Sequence, residues 1–516
     1  MGKTVSCYNV DLPDIDDLDA LIKTIESDTF IQVNTFAIVM KTIRFFESPD
    51  ALGRRVNWAF NSPQLQVRPR SGLLTNAFYE RESGSLQFFY FPSRAGYMVY
   101  TALSQDIIAH ETAHAVLDGV APDLYNATRT ESLALHEAIA DLTAIMLTSL
   151  NEMIIFSLYA ISSAKLDIAT ALSKFAEEFG TEIGRKMRRD LGINCLRVLK
   201  NKRKLDPNSV DLTHPYQVSE VMSGAIFQVF INCAKGLRVM NSTADPNLRQ
   251  DTVPGIRQTS REDMVDILDN FEKLVLGAAR KVSRMVFRAL DYLPPGEVSL
   301  ADFGRAMIAA HRAVHAGKRM EQRWLTRELI ERRVVKNESD LEVDTNIVGR
   351  KLKDINCQKL LESDAAAKRF AEHYRDLLCI PSRSDFKVQP RRVRTRVRSR
   401  RNNQRPKLDL VFRVTWKAEE EHDLGPRFAS QWGYTVGTTL ILDLDTSRVL
   451  SVLTTDQRES QYFDRDRTLK RWMEQGLLLS QQESVGRNGQ HLSNKIIARK
   501  IDKTMWITGS ARVLCS

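Results

Sequence analysis

Apolar residues recur at helical spacing along most of the first two-thirds of this 516-residue chain. The periodicity predicts a helix at 15–26 and a second at 34–53, interrupted near Ser48-Pro49. A third helix is predicted from about 104 to 119, with Ser104 as its N-cap residue. The later predicted helices are 131–150, 166–191, 218–236, 260–291, 299–315, 319–333 and 365–378.

Alternation of apolar and polar residues predicts strands in two other regions. The first region has strands at 64–69, 74–79 and 86–91, and the second has strands at 408–415, 439–445 and 449–454. We therefore expect an α+β fold in which a small N-terminal β-layer precedes a mainly helical second lobe. The expected divisions are a main domain at 1–340, a helical connector at 341–386, an arginine-rich linker at 387–407 and a small β-rich accessory domain at 408–516.

The composition is that of a globular protein, with 43% hydrophobic and 27% charged residues. No apolar run is long enough to predict a membrane span. The N-terminal residues are acidic and lack the apolar core of a secretory signal, and the six cysteines are scattered without C-x-x-C spacing. These features predict a cytoplasmic protein with reduced thiols, and they leave its oligomeric state open.

The net charge of +10 comes from one segment of the chain. Residues 387–407 contain ten Lys or Arg and no Asp or Glu, so the remaining residues sum to zero. No aromatic residue is interleaved for base stacking, which favours a solvated linker. Binding of nucleic acid or of an acidic protein through this basic segment is the alternative interpretation.

The strongest chemical signal is His110-Glu111-Thr112-Ala113-His114, which lies within the third predicted helix. Histidines at i and i+4 share one helical face, so both imidazoles can reach one metal ion. Apolar residues flank the motif on both sides, and burial of these polar side chains without a metal would be costly.

A second acidic helix follows, with Glu137 placed 23 residues after His114. Two histidines and one glutamate form a zinc site that keeps a fourth position open, which is the arrangement of hydrolytic zinc enzymes. Glu111 is then predicted to act as the general base. Asp141, one turn after Glu137, is predicted to accept a hydrogen bond from a ligand histidine; the other interpretation of Asp141 is an exposed helical acid.

The residues from 106 to 118 and from 137 to 141 resemble the zinc-binding helices of thermolysin-like (gluzincin) metallopeptidases. The resemblance spans about 30–330 and is dense from 74 to 145. It implies that Tyr125 hydrogen-bonds the tetrahedral intermediate. It also implies that Asn76-Ala77-Phe78-Tyr79 is an edge strand, in which Asn76 and Ala77 hold an extended peptide substrate.

The chain departs from the family pattern at the second catalytic histidine. His214 is our first choice for that position, with Asp211 as a partner, while Tyr216 and Glu220 remain alternatives. His136 replaces a polar residue of the family and is expected either to contact a ligand histidine or to lie on the helix surface. Asp106 matches a calcium ligand of the family, but the companion acidic residues are missing, so calcium binding is unsupported.

These observations predict an intracellular zinc endopeptidase that acts on a protein or peptide substrate. The metal ligands are His110, His114 and Glu137, the base is Glu111, and Tyr125 and His214 stabilise the oxyanion. An aminopeptidase is disfavoured, because the chain lacks a Gly-x-Met-Glu-Asn segment. The alternative from another class is a catalytically silent, zinc-scaffolded binding protein that uses the basic segment 387–407.

Overall fold

The structure is a computed structural model. It describes residues 17–93, 97–153, 155, 199–244, 261–314, 320–342, 348, 356–382, 384–395, 407–455, 459–480, 496–501 and 503–507.

The described chain begins with two helices, α1 (Leu18–Ile25) and α2 (Asp28–Glu47). The Ser27 side chain caps α2 by accepting a hydrogen bond from Phe30 N at 3.2 Å. Helix α2 ends immediately before Ser48, which precedes Pro49. Since a residue before proline avoids the helical conformation, the helix ends at the interruption that the sequence indicates.

A small β-layer follows, in which β1 (Gln66–Arg68), β2 (Ala77–Glu80) and β3 (Ser85–Phe88) form a sheet in the order β1-β3-β2. The strands β4 (Tyr90–Pro92) and β5 (Met98–Tyr100) form a separate antiparallel pair. The strand predicted at 86–91 is therefore divided between two sheets. Among the described residues β2 pairs only with β3, so it is an edge strand.

Two almost completely buried helices, α3 (Gln105–Val120) and α4 (Thr130–Ser149), pack against each other next to this β-layer. The Ser104 side chain caps α3, as predicted, by accepting a hydrogen bond from Ile107 N at 3.3 Å. At the other end of α3, a Cβ atom on Gly119 would lie 1.8 Å from Asn57 O. Glycine is therefore needed there, because the backbone at Asn57 passes directly over the helix.

Four long helices complete the helical layer, and α5 packs directly on α4. They are α5 (Pro215–Ala244), α6 (Arg261–Ala289), α7 (Leu300–Val314) and α8 (Met320–Glu331). These elements confirm the predicted helices from 218 to 333. The helix predicted at 166–191 lies outside the described residues.

Two short helices, α9 (Cys357–Glu362) and α10 (Asp364–His373), lead into an eight-stranded sheet. Its strands are β6 (Phe386–Val388), β7 (Arg392–Thr395), β8 (Leu408–Glu421), β9 (Gln431–Asp443), β10 (Val449–Thr454), β11 (Leu478–Ser480), β12 (Ile496–Ile501) and β13 (Thr504–Ile507). The long antiparallel pair β8–β9 forms its centre, and α11 (Glu459–Glu474) follows β10.

The two faces of this sheet pack against different parts of the chain. Residues alternate between faces along a strand, so Leu410, Phe412 and Val414 pack with α9 and α10. Val411 and Ile441 belong to the core of the helical layer instead. The C-terminal sheet therefore shares a hydrophobic core with the helices, although the predicted domain limits themselves remain predictions.

The interpretation of the basic run as a solvated linker is wrong for its first part. Residues 386–388 and 392–395 form β6 and β7, which both pair with β8. Arg394 is fully buried, and its Nε lies 3.4 Å from Asp409 Oδ2. The sequence pattern missed this because the buried carboxylate that compensates Arg394 lies in another strand. Residues 396–406 lie outside the described residues.

The observed architecture confirms the expected α+β class. The strand pairs at the two ends of the chain also lie where the alternating patterns predict them, although β8 and β9 extend further than predicted. Among the described helices, none combines the length and apolar character required to cross a bilayer.

Candidate metal centre

His110 and His114 project from the same face of α3 into the contact between α3 and α4. Their Nε2 atoms are 3.0 Å apart, and both residues are buried. The i, i+4 spacing on a helix produces this approach, as the sequence predicts. Two imidazole nitrogens at this distance require a shared proton or a cation, since two lone pairs repel each other.

Helix α4 brings Glu137 against both histidines. Its Oε2 lies 3.4 Å from His110 Nε2, and its Oε1 lies 3.6 Å from His114 Nε2. Glu111 is also close. A carboxylate oxygen of Glu111, one ring nitrogen of His110 and one of His114 lie within 4.8 Å of one another. Two carboxylates and two imidazoles therefore converge in one buried space.

The outer nitrogen atoms of the two histidines also have partners. His110 Nδ1 lies 3.0 Å from Asp141 Oδ1, so Asp141 is next to a candidate ligand histidine, and its role in orienting a metal ligand remains a prediction. His114 Nδ1 lies 2.6 Å from His136 Nδ1, and the two rings stack with centroids 4.7 Å apart. His136 is thus buried beside a candidate ligand, and the helix-surface alternative for His136 is wrong. These contacts fix both ring orientations.

The electrostatics of the cluster favour a cation. Burial lowers the pKa of His110, but hydrogen bonding to Asp141 and Glu137 outweighs it and raises the pKa to about 10. Burial lowers the pKa of His114 to about 4, and burial also holds the pKa of His136 well below its ordinary value. The neutral His114 imidazole can therefore offer a nitrogen lone pair to a metal ion. The carboxylates next to His110 attract positive charge to the same place.

The distances fit a site for one tetrahedrally coordinated metal ion. In a tetrahedral site with metal–nitrogen bonds of about 2.0–2.1 Å, two ligand atoms lie about 3.3 Å apart. The two Nε2 atoms are 3.0 Å apart, and the two Glu137 oxygens lie 3.4 Å and 3.6 Å from His110 Nε2 and His114 Nε2, respectively. His110, Glu111 and His114 form the one candidate metal cluster within the described part of the chain. Asp106 is used differently, since it accepts a hydrogen bond from Thr148 Oγ1 at 3.1 Å.

Strand β2 runs past this cluster with its open edge toward α3. Successive residues here direct their backbone amide groups to opposite sides. Those of residues 77, 79 and 81 point away from β3, in contrast to those of residues 78 and 80. Tyr79 N donates a hydrogen bond to Glu111 Oε2 at 3.0 Å, and Arg81 N donates to Tyr125 Oη at 3.3 Å. The open edge of β2 thus faces the two residues predicted to act on the substrate.

Asn76 and Ala77 lie at the start of this edge strand. The Asn76 side chain accepts a hydrogen bond from Ala77 N at 2.8 Å. Ala77 is buried, and Asn76 is partly exposed. The two residues predicted to bind substrate therefore adjoin the edge that faces the cluster, and their role in binding remains a prediction.

A buried ion pair between β2 and α3 supports Tyr125, and the sequence did not reveal it. Arg81 Nε donates to Asp118 Oδ2 at 2.9 Å, and Tyr79 Oη donates to the same oxygen at 2.7 Å. The Arg81 guanidinium also lies 4.2 Å from the centroid of the Tyr125 ring. The spacing of Asp118 on the motif helix indicates only a helical acid, because its partners come from a distant strand.

His214 lies just before α5. The charged groups that act on it are Arg471 and Asp211, and burial together with Arg471 lowers its pKa. Glu220 pairs with Arg203 at 3.1 Å. Burial raises the pKa of Glu220, and the charge of Asp141 contributes to the same increase. Glu220, one of the three alternatives for the second catalytic position, therefore interacts electrostatically with Asp141 of the cluster.

Comparison with known proteins yields no match to any family model, to any curated protein or to any solved structure.

Proposed function

We propose that this chain is a zinc-dependent endopeptidase of the thermolysin-like type. The observation that carries the proposal is the convergence of three features at one place. The buried His110, His114 and Glu137 supply a metal-ligand set. Glu111 lies beside it, and the open edge of β2 contacts Glu111 through Tyr79 N.

Each residue of the cluster has a distinct task in peptide hydrolysis. Zinc, held by His110, His114 and Glu137, would supply Lewis-acid chemistry by acidifying water and polarising a carbonyl group. Glu111 accepts the proton of the attacking water and passes it to the leaving amine. Tyr125 donates a hydrogen bond to the oxyanion that develops on the substrate carbonyl.

The contacts around these residues support that division of tasks. Asp141 and His136 orient the two ligand histidines by binding their Nδ1 atoms. An extended peptide is expected to add to the open edge of β2, since main-chain hydrogen bonds to an edge strand bind many sequences. His214 as an oxyanion-stabilising residue remains part of the proposal, with Tyr216 and Glu220 as the alternatives.

The alternative function, a silent binding protein that uses the basic segment 387–407, has less support. Arg394 is buried against Asp409, and Arg392 lies in the same strand and donates to Gly119 O at 3.5 Å. Both arginines belong to a strand of the folded sheet and not to a solvated linker. The alternative therefore depends on the arginines at 396–405, and it predicts salt-dependent nucleic-acid binding that falls when Arg398, Arg400 and Arg401 are replaced by Gln.

The test compares the full chain with Glu111→Gln for zinc content and for cleavage of an N-terminally blocked peptide library. Blocked peptides separate an endopeptidase from an aminopeptidase. Glutamine retains an oxygen acceptor for Tyr79 N, so we expect Glu111→Gln to fold and to bind zinc. Removal of the general base should lower the cleavage rate about 10²–10⁴-fold.

Glu152→Gln is the matched control, because Glu152 is exposed just after α4. It should cleave at the native rate. Absence of bound metal in the native chain, or equal cleavage by the native chain and Glu111→Gln, would overturn the proposed function.

A further inference from the structure

A cavity of about 630 Å³ lies between the carboxyl end of α3 and the C-terminal sheet. Its walls come from residues 120–124 and 293–296, from Val298, and from the strands β6, β7, β8 and β9 with residues that flank them. The volume falls within the range of small-molecule binding pockets. None of the histidines of the metal centre lines this space, which we name the interlobe cavity.

Two arginines from neighbouring strands enter the wall of the interlobe cavity. Arg413 lies on the face of β8 that packs against the helical layer, because it alternates with Val411 along the strand. Its Nη1 donates to Val120 O at 2.9 Å, and its Nη2 donates to Leu290 O at 3.0 Å. Arg392 of β7 contacts the adjacent Gly119 O at 3.5 Å. Both guanidinium groups therefore lie at the carboxyl end of α3.

Arg413 is buried and Arg392 is partly buried. Among the described residues neither guanidinium group is hydrogen-bonded or salt-bridged to a carboxylate, and the charge of Asp291 acts on both from a greater distance. Arg413 Nε and Arg392 Nη1 are buried and have no hydrogen-bond partner there. Burial lowers the pKa of Arg413 to about 10. The charge of Asp291 acts to raise it, and the nearby Arg392 and Arg54 act in the same direction as burial. Unpaired buried charge is costly, so the interlobe cavity holds positive charge that a bound anion would compensate.

Two other arginines of the same junction lie close to carboxylates. Arg54 forms a hydrogen-bonded ion pair with Asp291, with Nη2 and Oδ1 2.6 Å apart. Arg394 lies 3.4 Å from Asp409. Arg54 is thus bonded directly to a carboxylate and Arg394 has one nearby, whereas Arg392 and Arg413, which line the interlobe cavity, interact with Asp291 only through its charge.

The remaining charged groups of the wall leave an excess of positive charge. Lys387 and Lys417 are exposed at the cavity, and two carboxylates, Asp123 and Asp385, oppose them. Asp123 Oδ2 accepts a hydrogen bond from Gly296 N at 2.9 Å. Four cations against two acids give a net charge of +2, which matches a phosphate monoester of about −2.

The interlobe cavity also has an apolar part. Leu293, Pro294 and Pro295 form one side of its wall, and Val411 contributes from β8. Inorganic phosphate alone would leave this surface and most of the volume without contacts. An organic molecule that carries a phosphate group would use both the cationic and the apolar parts of the wall.

We propose that the interlobe cavity binds a small phosphorylated organic molecule. Arg392 and Arg413 bind its phosphate group, as guanidinium groups commonly do through paired N–H donors. Its carbon skeleton packs against the proline-containing side of the wall. Because both arginines also hold the last carbonyl groups of α3, the ligand connects the C-terminal sheet to the helix of the metal centre. The proposal is independent of peptidase activity.

The test is a calorimetric titration of the metal-loaded full chain at constant ionic strength. Glucose 6-phosphate, adenosine monophosphate and inorganic phosphate are the probes, and glucose and adenosine are their uncharged counterparts. We expect saturable binding of at least one ester and no binding of the uncharged compounds. Loss of one charged hydrogen-bond donor in Arg392→Gln or Arg413→Gln should weaken binding about tenfold or more.

Arg327→Gln is the matched control, because Arg327 lies on α8 with a side chain that is 76% exposed. It should bind the ester as the native chain does. The Arg392→Gln variant should fold normally, because the described hydrogen bond of the Arg392 side chain is a single long one. In the absence of ligand, this variant should melt no lower than the native chain.

Three results would overturn the proposal. The first is that none of the phosphate esters binds saturably. The second is equal binding by the native chain and by Arg392→Gln and Arg413→Gln. The third is binding of inorganic phosphate without any ester, which would show that the cavity accepts a free anion only.

Discussion

The metal centre and the sheet junction bury charged side chains of opposite sign. By the sheet junction we mean Arg54, Arg288, Asp291, Arg392, Arg394, Asp409 and Arg413 between the helical layer and the C-terminal sheet. In the metal centre, Glu111, Glu137 and Asp141 surround two neighbouring imidazoles, so acidic groups are in excess. In the sheet junction, five arginines are accompanied by two aspartates.

The two regions also differ in how their charges are brought together. The histidines of the metal centre are four residues apart on one helix, so local geometry alone creates the pair. The charges of the sheet junction come from separate strands and helices, and Arg54 and Asp291 are 237 positions apart. Local spacing therefore reveals the first region and not the second. Each excess of charge indicates the sign of the ligand that would compensate it.

The largest effect is expected from removal of a ligand at the metal centre. His114→Ala should reduce bound zinc from about one equivalent to almost none, because a site with two remaining ligands binds weakly. Peptide cleavage should be lost with the metal. Elemental analysis of the purified protein measures the change. His373→Ala, at an exposed histidine of α10, should retain full metal content.

The next effect concerns the paired part of the sheet junction. Asp291→Asn leaves Arg54 buried without its carboxylate, so the free energy of unfolding should fall by about 3–5 kcal/mol. Urea denaturation measures this difference, and Asp376→Asn at an exposed position is the control. A loss below about 1 kcal/mol would show that Arg54 and Asp291 are not coupled as the structure indicates.

The pH dependence of the Arg54–Asp291 pair has a definite sign. Burial acts to raise the pKa of Asp291, but the Arg54 guanidinium holds it well below its ordinary value. Stability from a carboxyl group with a lowered pKa is present above its unfolded value and is lost as the pH falls through the folded value. The difference between native chain and Asp291→Asn should therefore be constant from about pH 5 to about pH 8 and shrink only in stronger acid.

A smaller effect is expected from the residues that orient the metal ligands. Asp141→Asn removes the negative charge beside His110 Nδ1 and should weaken zinc binding about 10- to 100-fold while retaining the fold. Competition with a chromophoric chelator measures the affinity. Unchanged affinity would assign Asp141 to the structural role of a helical acid, which was the other interpretation from the sequence.

The smallest predicted effect tests the excess of arginine directly. Arg288 is buried, and its described side-chain hydrogen bond is donated to Pro49 O. Burial and the nearby Arg394 lower its pKa to about 9. Arg288→Met should raise the free energy of unfolding by roughly 1 kcal/mol, because it removes an unpaired buried charge at similar volume. Destabilisation in urea would instead indicate that Arg288 has a compensating partner.

Most helices and the outline of the metal centre were predictable from the sequence. The end of α2 before Pro49 and the cap of α3 at Ser104 follow from the backbone chemistry of proline and serine. The approach of His110 to His114 follows from helical spacing. These features depend on residues within one or two helical turns of one another, so their neighbours are known without a fold.

The contribution of α4 was predictable in kind but not in detail. The sequence indicated Glu137 and Asp141 as partners of the histidines, and both lie there. The stacking of His136 on His114 was one of two open interpretations, because helix orientation decides which side of α4 faces α3. The contact of Tyr79 N with Glu111 depends on the register of β2 against α3, which no local pattern specifies.

The sequence by itself determined the α+β class, the positions of most helices and the pair of histidines for one metal ion. Only the tertiary structure decided that part of the basic run belongs to a sheet and that Arg392 and Arg413 line a cavity in which neither is bonded directly to a described carboxylate. The physical reason is the range of the interactions. Hydrogen bonding along a helix joins residues four apart, whereas compensation of buried charge depends on groups that the fold brings together from distant parts of the chain.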